Sequence, residues 1–551
     1  MKKTATFAGG AALLAAAGLV SKLFGFAYRI YLTNQIGAEG VGIFQLISPI
    51  YSLIILTLTS GISVAAARMI AREKAKDQQG RALRITFIAA LSSFIPGVLV
   101  SIVMFFNLNF ISNVMLNDKR TLYSLAVLLP CIPVIAISSA IKGYFYGLSE
   151  MLPGAITQIV EQIVKISFLA FFVTYFKGFA GMKLEYVCAI ATLGMAVGEI
   201  VNLLILFIVF LVRKNKLIRR GRIRSIRTIR RNICNNSLGN IGKIEGIRKK
   251  QRPLTAVFAG QTRGLFTELV KSAWPVSANR FITSIMSAVE LILIPRQLVA
   301  GGLDPQLSMQ EFGRLSGMAL PLILFPSLIT SSLSTSLVPG ISECASVNNY
   351  RGLNQRISKA IQITAVLGFA FTAIFMTLSK EVGDLFYRKE NIGDIIYLLS
   401  FSCIFIYLQQ TLTGILNGLG RQRVLLQNSL IGYVLRILAV YFLVPVWGLK
   451  VYIIALILCL ILVSLLNLTA LVKATGITLL LRKWFIKPAL IGGIVYLAGN
   501  FIKIAMRIVN VESDRIEALI SISLLIIVAV LSAIIFNVPS REDLKKAAVW
   551  R

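Results

Sequence analysis

The chain has 551 residues, 56% of them hydrophobic and only 15% charged, with a mean hydropathy of +0.79. A soluble domain carries about 25% charged residues and a disordered one has low hydrophobicity; both classes are excluded, and a polytopic membrane protein remains. There is no histidine, the six cysteines form no CxxC pair, and the net charge of +34 turns the question to where the 57 basic side chains lie.

In chain order, apolar stretches of about 20 residues mark candidate spans. They predict fourteen, at 8–33, 41–67, 85–106, 122–141, 155–176, 186–212, 272–299, 315–341, 360–379, 395–418, 424–445, 451–472, 488–506 and 516–537. The opening Lys2, Lys3 and the small residues Ala15 to Ala17 resemble a signal peptide. The apolar pattern continues to about Thr33, so a retained first helix is the simpler reading.

An even number of spans puts both termini on one side, and the positive-inside rule sets which side. With the termini cytoplasmic, the cytoplasmic segments hold 39 of the 57 Lys and Arg but only 8 of the 23 acids. Much of the excess lies in 213–252, with fifteen Lys or Arg and one acid, Glu245. Without aromatic interleaving for base stacking, this reads as a loop on anionic lipid head groups and not as a nucleic-acid site.

The basic loop divides the spans into six, six and two, which invites a search for a repeat. One appears at an offset of 271–272 residues. Gly143, Gly147 and Leu148 match Gly414, Gly418 and Leu419; Lys165 matches Arg436; Gly80 and Arg84 match Gly352 and Arg356. Six spans per repeat give two lobes inserted the same way round, enclosing a cavity at their interface, as in an alternating-access transporter. The expected organisation is an N-lobe over 1–212, a basic cytoplasmic loop over 213–265, a C-lobe over 266–475, and two extra spans with a tail over 476–551.

Ionisable groups within spans cost about 2.5–3.5 kcal/mol on insertion scales, so they tend to face a cavity or a partner. Here they include Lys22, Arg29, Glu161, Lys165, Glu199, Arg280, Glu290, Arg296 and Arg436. Glu161 and Lys165, four residues apart, read as a self-neutralising pair on one helix face. Arg29 and Arg296 lie near span ends, where snorkelling to the interface competes with a cavity role. Lys22 and Arg280 are deeper and have no acid one turn away; as residues of the first spans of the two repeats, they are candidates for the cavity wall. Glu290 is a candidate to pair with a base across the cavity or to bind a coupling cation. The positive balance of these groups suits an anionic substrate. Prolines 49, 96, 130, 133, 275, 295, 321, 326 and 339 lie in or at the ends of spans, where they bend helices.

The segment Ser21-Lys22-Leu23-Phe24-Gly25-Phe26-Ala27-Tyr28-Arg29 is followed by Ile36-Gly37-Ala38-Glu39-Gly40-Val41-Gly42-Ile43-Phe44-Gln45-Leu46, Ser48-Pro49-Ile50-Tyr51, Gly61-Ile62-Ser63 and Ala65-Ala66-Ala67-Arg68. Together with Trp274-Pro275 and Ile294-Pro295-Arg296-Gln297-Leu298, these resemble the stage V sporulation protein B family. That is a polysaccharide-transporter branch of the MATE-like (MOP) flippase superfamily, which also contains the lipid II flippase MurJ. The resemblance implies an all-α membrane fold and flipping of an undecaprenyl-pyrophosphate-linked glycan across the cytoplasmic membrane for cell wall or spore cortex synthesis. It implies that basic residues of the first helix hold the pyrophosphate. Lys22 occupies the first such position; the second falls on Tyr28, with Arg29 beside it. The second-helix basic residue of MurJ has no counterpart in Leu53-Ile54-Ile55-Leu56.

The expected site is therefore Lys22, Arg29 and Arg280 for the pyrophosphate, with Glu290, Arg296, Lys165, Glu161 and Arg436 as further cavity or coupling residues. No cofactor or metal is expected, transport being driven by membrane potential or a coupling cation, and a monomer satisfies the scheme. The alternative is a MATE-type multidrug or cation antiporter on the same fold. An enzyme is disfavoured, since the outer loops are short and neither a DxD-like cluster nor a GxxxxGK[ST] loop is present.

Overall fold

The computed structural model describes residues 2–75, 79–175, 181–235, 254–388, 390–509, 514–536 and 538. Among them all regular secondary structure is helical, which is what lipid requires of a spanning chain whose backbone groups must be satisfied internally. In order, the α-helices are α1 (Lys2–Ala75), α2 (Gln79–Phe106), α3 (Leu108–Phe110), α4 (Leu122–Leu128), α5 (Cys131–Gly147), α6 (Leu152–Tyr175) and α7 (Leu184–Asn235). After these come α8 (Leu254–Ala300), α9 (Pro305–Gly313), α10 (Leu320–Leu324), α11 (Ser327–Ser346), α12 (Tyr350–Thr377) and α13 (Ser379–Phe386). The last are α14 (Gly393–Ser400), α15 (Cys403–Gly418), α16 (Gln422–Phe442), α17 (Val444–Thr475), α18 (Lys487–Val509) and α19 (Asp514–Ile535).

Among the described residues ten helices are long and apolar enough to cross a membrane, or thirteen if each of three bent pairs counts as one span. This differs from the fourteen expected, and α1 is where the difference arises. Its 74 residues would extend about 110 Å if straight. They are broken at Gly37, whose φ of 68° is open to glycine at no steric cost. The break falls in the gap between the expected spans 8–33 and 41–67. A second glycine break, Gly448 at φ 70°, lies within α17 near its start.

The bent pairs are α4 with α5 (42°), the 305–324 segment with α11 (59°), and α14 with α15 (52°). Pro130 and Pro326 stand at the first two bends, where the missing N–H and the ring prevent continuation. Pro49, Pro96 and Pro339 lie within continuous helices. The segment expected to be a loop over 213–265 is helical at both flanks, since α7 continues through Asn235 and α8 begins at Leu254. Lys and Arg are good helix formers, and no proline interrupts 184–252. The rest of that loop, 236–253, lies outside the described residues.

The repeat is visible in packing. A Cβ on Gly143 would sit 2.8 Å from the Ser63 carbonyl, and one on Gly414 would sit 2.7 Å from the Ser334 carbonyl. Gly147 abuts Ala67 and Ile70, as Gly418 abuts Val338 and Ile341. All of these pairs keep the 271-residue offset. The glycines of α5 and α15 thus let each helix meet the second long helix of its own lobe backbone to backbone, as small residues do in membranes.

The lobes meet along α1 and α8. At the Gly37 end, Gly313 approaches the Ala38 carbonyl and Gly42 the Met309 carbonyl so closely that neither would accommodate a Cβ. Glu390 accepts the Ala38 N–H at 2.9 Å and the Arg314 Nε–H at 3.4 Å. Farther along, Gly61 meets Ala273 and Ser277, and an Arg72–Glu268 ion pair at 2.8 Å joins the lobes near Ala75. The C-terminal helices are fastened to the C-lobe. Trp484 is fully buried and donates to Ser358 Oγ at 2.8 Å; Lys503 pairs with Glu381 at 2.8 Å; Gly492 and Gly499 lie against Phe369 and Thr377.

Candidate functional site

The first arm of α1 presents Lys22, Phe26 and Arg29 at i, i+4 and i+7, a single helical face. Lys22 and Phe26 contact the C-lobe, and Arg29 lies near it. Lys22 Nζ donates to Ser331 Oγ at 3.3 Å. Phe26 stacks on Phe325 with centroids 4.5 Å apart and meets Phe386 edge-on at 5.8 Å. Arg29 lies close enough to Tyr387 for the two to interact electrostatically. Tyr28, one residue and about 100° away, is buried in its own lobe, its hydroxyl donating to the Ala191 carbonyl at 3.3 Å. The geometry thus turns Arg29, and not Tyr28, toward the seam.

Opposite stands α11, whose stretch Ser327–Ser336 carries seven hydroxyls in ten residues. Most bond back to carbonyls three or four residues earlier, as Ser331 does to Leu328 and Thr335 to Ser332, each at 2.9 Å. That arrangement keeps hydroxyls tolerable within a span and leaves their oxygen lone pairs free to accept. This run was legible in the sequence as an unusual density of Ser and Thr in an apolar context, but the charges alone do not point to it. Beside Lys22 opens an apolar cavity of about 320 Å3, walled by Leu19, Leu23, Phe26, Phe325, Phe386 and Ile522.

Arg280 on α8 is exposed and has no recorded side-chain partner among the described residues. It lies on the same helix face as Ala273 and Ser277, which touch Gly61, so it emerges at the seam one turn beyond that contact.

The other expected residues fall into two places. Glu161 and Lys165 pair at 2.5 Å, buried, with Asn202 Nδ2 donating to Glu161 Oε2 at 2.8 Å and to Glu199 at 3.5 Å. Glu290, expected to find a base across the cavity or a cation, is held within its own lobe. Arg436 grips it with Nε at 2.7 Å and Nη2 at 3.1 Å, and Tyr452 donates to it at 2.9 Å. Arg436 also sits over the Tyr433 ring, 4.6 Å from its centroid. The sequence offered no sign of this pair, since 146 residues separate its members. Arg296 is brought to neither group; it lines a separate pocket at the Gly37 end.

The seam therefore concentrates cationic and hydroxyl groups on two facing lobes, while the buried acids are neutralised inside each lobe. Such an arrangement has the chemistry to hold an anion between lobes through charge-assisted hydrogen bonds. Among the described residues no group of three or more Cys, Asp or Glu could hold a metal ion.

Residues 7–345 match the family model described as polysaccharide biosynthesis protein, and residues 318–511 match that of the lipid II flippase MurJ. Stage V sporulation protein B of Bacillus subtilis (strain 168) is 28% identical over 488 residues, covering 88% of this chain and 87% of that protein. Lipid II flippase MurJ of the same organism is 21% identical over 435 residues, covering 76% of this chain and 74% of that protein. Among solved structures, lipid II flippase MurJ in an inward closed conformation has a TM-score of 0.65 at 16% identity, covering 95% of this chain and 98% of that one. An inward-facing multidrug resistance MATE family transporter has a TM-score of 0.58 at 14% identity, covering 83% and 96%. These two likenesses concern the fold, which is MATE-like.

Proposed function

We propose a transport function from one premise: the chain belongs to the polysaccharide biosynthesis protein family. It is a multi-pass membrane protein whose relatives include a named lipid II flippase. The finer reading is that it moves an undecaprenyl-pyrophosphate-linked glycan across the cytoplasmic membrane by alternating access, for cell wall or spore cortex synthesis. Both termini lie in the cytoplasm on this reading, and the Gly37 end faces outward. The division into an N-lobe over 1–212, a C-lobe over 266–475 and an added C-terminal pair belongs to the same proposal.

One observation carries it: the α1 face on which Lys22 and Phe26 contact the C-lobe and Arg29 stands near it. A bare pyrophosphate does not enter hydrocarbon, because an unpaired charge there costs far more than thermal energy supplies. Lys22, Arg29 and Arg280 offer the head group compensating charge, and the α11 hydroxyls offer polar contacts in place of water. The apolar cavity beside Lys22 lets the polyprenyl tail stay in a lipid-like setting while the head crosses. Rocking of the lobes about the α1–α8 seam then exposes the head group to the other side, driven by membrane potential or a coupling cation. Anionic lipid on the cytoplasmic surface attracts the basic 213–252 stretch.

The test is leaflet access of a lipid-linked peptidoglycan precursor in proteoliposomes, comparing wild type with Lys22→Ala. Protein-dependent appearance in the far leaflet, lost in the variant with insertion intact, is the expected result. Normal flipping by both Lys22→Ala and Arg280→Ala removes these residues from the site. Movement of an organic cation, with no glycan lipid moved, replaces the reading by a cation antiporter.

A further inference from the structure

At the Gly37 end of the seam the lobes enclose a second, polar pocket of about 570 Å3, within the size range of small-molecule sites. One wall is the 116–120 turn of the N-lobe with Glu39; the other is the end of α8 and the start of α9 in the C-lobe. Three acids and three bases line it, but they are not equally available.

Each acid is already engaged. Glu39 accepts from Arg120 through Oε1 and from Gln306 Nε2 through Oε2, the latter at 2.9 Å. Asp118 takes the Arg120 Nε at 3.0 Å and Nη2 at 2.8 Å, and also caps the turn through the Arg120 N–H at 2.9 Å. Asp304 caps α9, its Oδ2 accepting the Gln306 N–H at 2.9 Å and the Leu307 N–H at 3.4 Å. Arg120 is committed to Glu39 and Asp118. Two cations are left over: Lys119 from the N-lobe and Arg296 from the C-lobe, neither with a recorded partner among the described residues. The formal charge of the pocket is balanced, and its two cations outside the hydrogen-bond network come one from each lobe.

We infer that this pocket is a second anion site, which takes a phosphate-type oxyanion bridged by Lys119 and Arg296. Its placement on the outer side rests on the flippase reading; its chemistry does not. The fork of Arg296 suits two oxygens of one phosphate, and Lys119 supplies a point charge from the opposite lobe. An occupant that touches both lobes binds their joined arrangement better than a separated one, so it favours closure of the Gly37 end. Two sources carry this chemistry: the pyrophosphate of a delivered glycan lipid and the phosphodiester of an anionic membrane lipid.

The experiment uses full-length protein in phosphatidylcholine nanodiscs and reads hydrogen–deuterium exchange over 116–120 and 295–309. In one arm inorganic pyrophosphate is titrated; in the other phosphatidylglycerol replaces part of the lipid. Protection of both segments in either arm, with its midpoint shifted at least ten-fold in the Lys119→Gln, Arg296→Gln double variant, is expected, and the responding arm identifies the source. Lys22→Ala should keep this protection. Absence of protection in both arms, or equal protection in the double variant, overturns the inference; so does loss of protection in Lys22→Ala alone, which puts the anion at the seam. Thermal unfolding of the double variant within the wild-type range keeps misfolding from mimicking lost binding. If flipping depends on Lys22 but no protection is seen, only this pocket is lost. If protection is seen but nothing is flipped, only the transport reading is lost.

Discussion

Lys165 and Arg436 occupy equivalent positions of the two repeats, yet they are neutralised in different ways. Lys165 takes its acid from one turn earlier on its own helix, Glu161, with Asn202 linking to a second carboxylate, Glu199. Arg436 finds Gly432 at the equivalent of Glu161, and takes its acid from Glu290 on α8. The repeat preserved a buried cation but not the source of its partner. The N-lobe solution is made by helix geometry before any packing. The C-lobe solution exists only once α8, α16 and α17 have come together, because Glu290, Arg436 and Tyr452 each come from a different helix. The N-lobe holds a reserve acid, and the described C-lobe cluster holds none.

That difference predicts a graded series. Glu290→Gln leaves Arg436 buried without a counter-charge and should cost about 3–5 kcal/mol, read by SDS-titration unfolding in mixed micelles. Glu161→Gln should cost about 1–3 kcal/mol in the same assay, because Glu199 remains near Lys165. Equal losses for the two would mean that the reserve acid contributes nothing. A third variant moves the N-lobe solution into the C-lobe. Gly432→Glu on the Glu290→Gln background needs Val463→Ala as well, since a Cβ at 432 would meet Val463 Cγ2 at 2.6 Å. Against the Glu290→Gln, Val463→Ala control it should recover about 1–2 kcal/mol; no recovery would show that the local geometry of α16 differs from that of α6. The smallest effect is expected at the exposed Arg72–Glu268 pair between lobes, where Arg72→Ala should shift stability by about 0–1 kcal/mol. A larger shift would make that contact part of what holds the lobes together.

The seam itself divides along the same line. The face shared by Lys22, Phe26 and Arg29 follows from their spacing. That this face meets Ser331 and Phe325, with Tyr387 near Arg29, follows from how α1 lies against the C-lobe, and no local signal in the sequence contains it. Lys119 escaped notice for a related reason. In sequence it is one charge of a short turn beside Asp118 and Arg120, and only the pairing of those two with each other and with Glu39 leaves it uncommitted. Arg296, read as a cavity or snorkelling residue, turns out to share that pocket.

Local pattern along the chain sufficed for the helical membrane class, the neighbourhood of the break at Gly37, the 271-residue repeat and the Glu161–Lys165 pair. Hydropathy, backbone freedom and i, i+4 spacing are properties of the chain within a turn or two, and a repeat is the same local pattern written twice. Tertiary structure alone decided the partner of Glu290, the tyrosine that turns inward so that Arg29 faces the seam, the pocket at the Gly37 end and the helical continuation of α7 through Asn235. The first three depend on which helices pack against which; the last depends on whether a basic stretch with helix-forming residues is released from or continues the span before it.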